Sequence, residues 1–125
     1  MADKSLKSIL NKKLPYAICG SLWIECDGER FFGPGRVELL QKIEKTGSIS
    51  KAAREMGMSY KKAWDMIDAL NRQARIPLVV KQAGGEKGGG TIVTEEAIKL
   101  ITYHQQLRKR FLEFLKKETQ QFNKP

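Results

Sequence analysis

The chain has 125 residues, 23 of them lysine or arginine against 14 aspartate or glutamate, for a net charge of +9 and a pI near 9.7. That length is one domain's worth and short for an enzyme with a buried cleft, while the basic charge favours a polyanion: DNA, RNA or an anionic membrane surface. No apolar run approaches the roughly 20 residues that span a bilayer, and the N-terminus lacks the unbroken apolar core of a secretory signal, so a cytoplasmic protein with no membrane partner is expected.

Residues 1–15 read as a basic N-terminal arm. Leu6, Ile9, Leu10 and Leu14 recur at loosely helical spacing and Pro15 closes the segment; a frayed arm and a short docking helix both fit. Residues 22–32 read as a hairpin about Asp27-Gly28, a dipeptide suited to a type I′ turn. Two-residue closure pairs Glu25 with Arg30 and Ile24 with Phe31, which puts Leu22, Ile24, Cys26 and Phe31 on one face and Trp23 and Phe32 on the other. Cys19 and Cys26 would lie about 23 Å apart in extended chain, too far for a disulfide, so both are expected to be reduced. Two cysteines and one distant histidine match no zinc-ligand pattern, and neither metal nor cofactor is expected.

Gly33-Pro34-Gly35 breaks the strand and starts a helix with the apolar stripe Val37, Leu39, Leu40 and Ile43, ending at Gly47. Residues 47–70, GSISKAAREMGMSYKKAWDMIDAL, then have helix-turn-helix spacing. Ala53 sits where the first helix must approach the second, Gly57 can take the left-handed turn, and Ala63 and Ile67 face inward. Ala52, Met56, Met58, Met66 and Leu70 complete the apolar set. Ser48 or Ser50 can cap the first helix and Ser59 the second, and Pro77 marks a point by which the second has ended. Locked at a steep angle, the pair leaves the face from Ser59 to Asp65 free to enter a major groove.

Residues 77–94 run PLVVKQ, AGGEKGGG, TIVT: strand, glycine-rich loop, strand, the pattern of a wing. A nucleotide-binding P-loop needs its lysine at the start of a helix, whereas this loop runs into a strand. Lys81 and Lys87 are placed to meet DNA backbone from the wing. Thr94 is a plausible cap for a long final helix, with Glu95 and Glu96 against the positive end of its dipole. Its stripe is Ala97, Ile101, His104, Leu107, Phe111, Phe114, Leu115 and Phe122. About 28 residues would span some 42 Å, more than the core of so small a body needs, so a dimer interface is expected through Ile101, His104, Phe111 and Leu115. The fold class is therefore mostly α with small β: a winged helix-turn-helix with an N-terminal β-hairpin, a Gly-rich wing and a long C-terminal dimerisation helix, divided as 1–15, 16–94 and 95–125.

The run RFFGPGRVELLQKIEKTGSISKAAREMGMSYKKAWDMIDALN, followed by PLVV, GGEKGGG and TEEAIKL, closely resembles the N-terminal DNA-binding domain of the ModE family, molybdate-responsive transcriptional regulators of bacteria, similar in layout to LysR-type regulators. The stretch GMSYKKAW is the most specific part. The resemblance implies DNA contacts from Ser59, Tyr60, Lys61 and Lys62 at the start of the reading helix, with the wing around Lys87 as a secondary contact. Lys61 and Lys62 can reach phosphates or the O6 and N7 acceptors of guanine, and Ser59 and Tyr60 can donate to phosphate or touch a thymine methyl. Asp65 either holds a lysine in place or accepts from a cytosine amino group, and packing is favoured over base contact for Trp64.

Full-length members of the family carry C-terminal molybdate-binding domains, and no such domain is read in these residues, so direct molybdate sensing is not expected and any sensing would pass through another chain. The expected function is a homodimeric transcriptional regulator on double-stranded DNA with a pseudo-palindromic operator. A sequence-indifferent architectural nucleic-acid-binding protein and a winged-helix protein-interaction module are the alternatives. No Ser/His/Asp, Cys/His or paired-carboxylate constellation suggests an enzyme.

Overall fold

Local chemistry accounts for the turns of this chain, whose computed structural model describes residues 4–82 and 90–124. Asp27 and Gly28 both take positive φ, 53° and 80°, as a type I′ turn requires, and join strand β1 (Ile24–Cys26) to β2 (Glu29–Phe32). Glu25 lies opposite Arg30 as the turn dictates. Beyond that pair the register shifts, so that Ile24 faces Phe32 rather than Phe31. The extra residue is a bulge, and its benefit is visible in packing: Phe32 returns to the core face, fully buried, with Phe31 packed beside it.

Helix α1 (Pro34–Thr46) begins with Pro34, whose missing N–H costs nothing in a first turn, and ends on Gly47 in the left-handed region at φ 69°, its N–H donating to the Ile43 carbonyl at 2.7 Å. Helix α2 (Ile49–Glu55) is capped by Ser48, whose hydroxyl oxygen accepts from the Lys51 N–H at 3.1 Å. Gly57, at φ 66°, turns the chain, and the Met58 N–H returns to the Ala53 carbonyl at 3.0 Å. Ser59 then caps α3 (Tyr60–Gln73) by accepting from the Lys62 N–H at 3.0 Å.

Strand β3 (Val79–Lys81) pairs antiparallel with β4 (Thr91–Val93), Val79 opposite Val93 and Lys81 opposite Thr91, and the Gln82 N–H donates to the Gly90 carbonyl at 2.8 Å. The expected glycine-rich wing loop, with Lys87, lies outside the described residues. Asn71 ties this strand pair to α3: its Oδ1 accepts from the Leu78 and Val79 N–H groups and its Nδ2 donates to the Val79 carbonyl, at 2.8–3.2 Å. Thr94 caps α4 (Glu95–Asn123), accepting from the Ala97 N–H at 3.3 Å.

The chain divides into two compact units. One unit is Trp23–Gln105, with a core built on Phe32, Leu39, Leu40, Ile43, Ile67, Leu70 and His104, each fully buried. Each large apolar side chain there contributes about 1.5–3 kcal/mol of transfer free energy. The other combines Met1–Leu22 with Gln106–Pro125. In it the segment after Pro15 runs along the last turns of α4: the Ile18 N–H donates to Thr119 Oγ1 at 2.9 Å, Asn123 Nδ2 donates to the Tyr16 carbonyl at 2.7 Å, and Tyr16 meets Phe122 edge-on. Tyr16 and Ile18 are thereby joined to the final helix, a pairing across the sequence that local patterns do not register.

Candidate nucleic-acid interface

The α2-turn-α3 geometry follows from small residues at the crossing. Ala52, Ala53 and Ala63 are buried to within 2% of full cover, letting the two helices approach, and Ile67 and Leu70 continue the buried side of α3. The other side, which begins at the Ser59 cap, is open. Tyr60 is 52% exposed, Lys62 is exposed, and the Lys61 and Asp65 side chains retain 86% and 63% of their accessible surface. Lys61 Nζ lies 3.2 Å from Asp65 Oδ2, one helical turn on, an ion pair between two solvent-exposed side chains. Ser59 keeps its hydroxyl hydrogen for a further acceptor while its oxygen serves the cap.

Lys81, on β3, joins the same surface. Its ammonium sits 4.7 Å from the centre of the Trp64 ring, and Tyr60 meets that ring edge-on at 6.2 Å between centroids. An exposed cation–π contact of this kind contributes roughly 0.5–1 kcal/mol. Trp64 is half-buried against the core on one side and carries Lys81 on the other, so packing describes only part of its role. Lys81 and Tyr60 also line an open concavity of about 200 Å³ with Ser48, Ser50 and Thr91. Lys87 lies outside the described residues.

Arg36, near the hairpin, has a structural task. Arg36 Nη1 donates to the Phe31 carbonyl at 2.8 Å and to Gln73 Oε1 at 2.9 Å, joining the hairpin, α1 and α3. Burial, then the neighbouring Arg72 and Arg30 charges, hold its guanidinium below the ordinary arginine value, with Glu29 acting the other way. Cys19 and Cys26 are free thiols, and among the described residues no cluster of three or more His, Cys, Asp or Glu could hold a metal ion.

The four residues expected at a dimer interface separate. Ile101 and His104 are 5% and 1% exposed within one chain, His104 standing edge-on to Phe32 at 5.7 Å, so both are committed to the protomer's own core and are not available to a second copy. Phe111 and Leu115 are half-buried in the other unit, with Gly20 so close to Phe111 that a Cβ there would lie 3.1 Å from the ring. The open large apolar residues of α4 are Tyr103, Leu112 and Phe114, and Phe114, a member of the expected apolar stripe, is 57% exposed.

Residues 35–97 match the family described as bacterial regulatory helix-turn-helix protein, lysR family. The chain belongs to that family. Among curated proteins this LysR-family chain is similar to the molybdenum transport protein ModE of Azotobacter vinelandii, 40% identical over 70% of this chain and 33% of that protein, and to the DNA-binding transcriptional dual regulator ModE of Escherichia coli K12, 37% identical over 69% and 33%. The molybdenum-pterin-binding protein MopB of Rhodobacter capsulatus is 49% identical over 62% of this chain and 28% of its own. The ModE resemblance legible in GMSYKKAW is thus borne out, and the chain spans about a third of the length of the relatives it matches. Among the described residues, no helix is long and apolar enough to cross a membrane.

Proposed function

We propose that this LysR-family chain is a ModE-type DNA-binding transcriptional regulator that lays the start of α3 in a major groove and sets β3 against the flanking backbone. The observation that carries the reading is the exposed face of α3, Tyr60, Lys61, Lys62 and Asp65, presented by a helix whose opposite side is locked to α2 through Ala53, Gly57 and Ala63. Lys61 and Lys62 supply charge and donors for phosphate or guanine, and Tyr60 and the Ser59 hydroxyl supply contacts to phosphate or thymine methyl. The net charge of +9 adds sequence-independent attraction that raises encounter rates without choosing a site.

The chain acts as a homodimer on a pseudo-palindromic operator, its two α3 helices entering successive major grooves about 34 Å apart. Exposed Phe114 on α4, beside half-buried Phe111 and Leu115 at i−3 and i+1, supplies the apolar surface for the second copy. The names of the relatives tie them to molybdenum and to transcription, so molybdenum-related promoters are the first targets to examine. Footprinting across genomic fragments tests the reading: discrete protected sites with two-fold symmetry are expected, and uniform protection with no preferred site would leave an architectural nucleic-acid-binding protein instead.

A further inference from the structure

Lys81 is exposed at the end of a strand, where a lysine stem ordinarily samples many rotamers, yet its ammonium lies 4.7 Å over the Trp64 ring. The concavity that Lys81 shares with Ser50, Tyr60 and Thr91 holds about 200 Å³, and among the described residues no carboxylate lines it. Besides Lys81 the concavity is lined by four hydroxyl-bearing residues, Ser48, Ser50, Tyr60 and Thr91, a set suited to a singly charged tetrahedral anion with several acceptor oxygens: hydroxyls can donate to separate oxygens and an ammonium can balance the single charge. A phosphodiester has that charge and shape. The concavity also adjoins Tyr60, at the start of the helix that faces the groove, where the backbone of a bound duplex passes.

We propose that this concavity seats one phosphodiester of the DNA backbone, with Lys81 as its cation and Trp64 as the positioning residue that holds Lys81 in place; the assignment rests on the DNA-binding reading above. The indole face restricts the lysine stem before DNA arrives, so less rotamer freedom is lost on binding. Trp64 therefore acts through Lys81 and touches no base.

The test titrates the parent chain, Lys81→Met, Trp64→Leu, Trp64→Phe and the Lys81→Met/Trp64→Leu pair onto a mixed-sequence duplex over a range of salt, by fluorescence anisotropy. Lys81→Met is expected to reduce the magnitude of the slope of log K against log salt by about 0.9, one phosphate's worth. Trp64→Leu is expected to weaken binding about two- to fivefold in the parent and not at all in the Lys81→Met background, while Trp64→Phe, which keeps an aromatic face, stays within about twofold of the parent. Ser50→Asp, which brings a carboxylate into the concavity, is expected to cost about tenfold. An unchanged slope in Lys81→Met overturns the proposal, and that variant does not depend on how leucine packs at position 64. Equal losses from Trp64→Leu in both backgrounds also overturn it, since a packing role needs no Lys81. Displacement of the duplex by inorganic phosphate, beyond that caused by chloride at equal ionic strength, makes this a site for the free ion and overturns it too. A parent that binds no duplex at low salt removes the DNA-binding reading itself, a result distinct from a binding parent whose slope ignores Lys81.

Discussion

Lys61, proposed to meet DNA, has little part in holding the fold together. It keeps 86% of its side-chain surface and its one ionic contact, Asp65 at 3.2 Å, is itself open to solvent, where such pairs are screened and stabilise little. Lys61→Ala is therefore expected to leave the urea unfolding midpoint where it is. On an operator duplex the same change is expected to weaken binding by about 1–3 kcal/mol if Lys61 reads a base, with a smaller loss on random sequence; equal losses on both duplexes assign it to phosphate. The places of Tyr60, Lys61 and Lys62 were legible from sequence because the first turn after a capping serine is a local matter. For Asp65 the sequence left alternatives, to which the fold adds its 3.2 Å contact with Lys61.

At the scale of elements, the helix-turn-helix depends on one backbone conformation. Gly57 sits at φ 66°, and a Cβ added there would meet nothing within 4 Å, so the cost of a side chain comes from the backbone rather than from crowding. Gly57→Ala is expected to destabilise the protein by about 1–2 kcal/mol, the penalty for an L-residue in the left-handed region, and Gly57→Asn by less, as read from urea unfolding curves. A Gly57→Ala as stable as the parent would mean the turn can be rebuilt another way. The hairpin carries the complementary lesson. Its turn was legible in Asp27-Gly28, but the shift that sets Ile24 opposite Phe32 was not, because a bulge is chosen by which aromatic the core can accommodate, and Phe32 is the one fully buried. The Asn71 clamp was equally hidden: an asparagine late in a helix reads as solvent-facing until β3 is brought alongside.

For the whole molecule, the proposed assembly rests on α4. Its 29 residues correspond to about 43 Å, and the stripe expected to meet a second copy is spent in its first part on the protomer itself, at Ile101 and His104. Farther along, Phe114 is 57% exposed and is the residue proposed to meet a second copy. Phe114→Glu, which would bury an unpaired carboxylate in a dimer but sits in solvent in a monomer, is expected to shift the dimer dissociation constant upward by at least about tenfold with little change in secondary structure. Sedimentation velocity over a concentration series checks it, and a parent that remains monomeric throughout would remove the dimer from the functional reading.

Sequence by itself determined the elements and the turns between them: two serine caps, a threonine cap, the left-handed glycines and the alanines at the helix crossing are each set by residues a few positions apart, where backbone sterics and first-turn hydrogen bonds act. Only the tertiary structure decided that Lys81 rests on Trp64, that Asn71 holds β3, that Ile101 and His104 face inward, and that the segment after Pro15 belongs with the end of α4. Each of those joins residues distant in the chain, and which side chain wins a shared space depends on how the elements are brought together, a quantity that periodicity along one element does not contain.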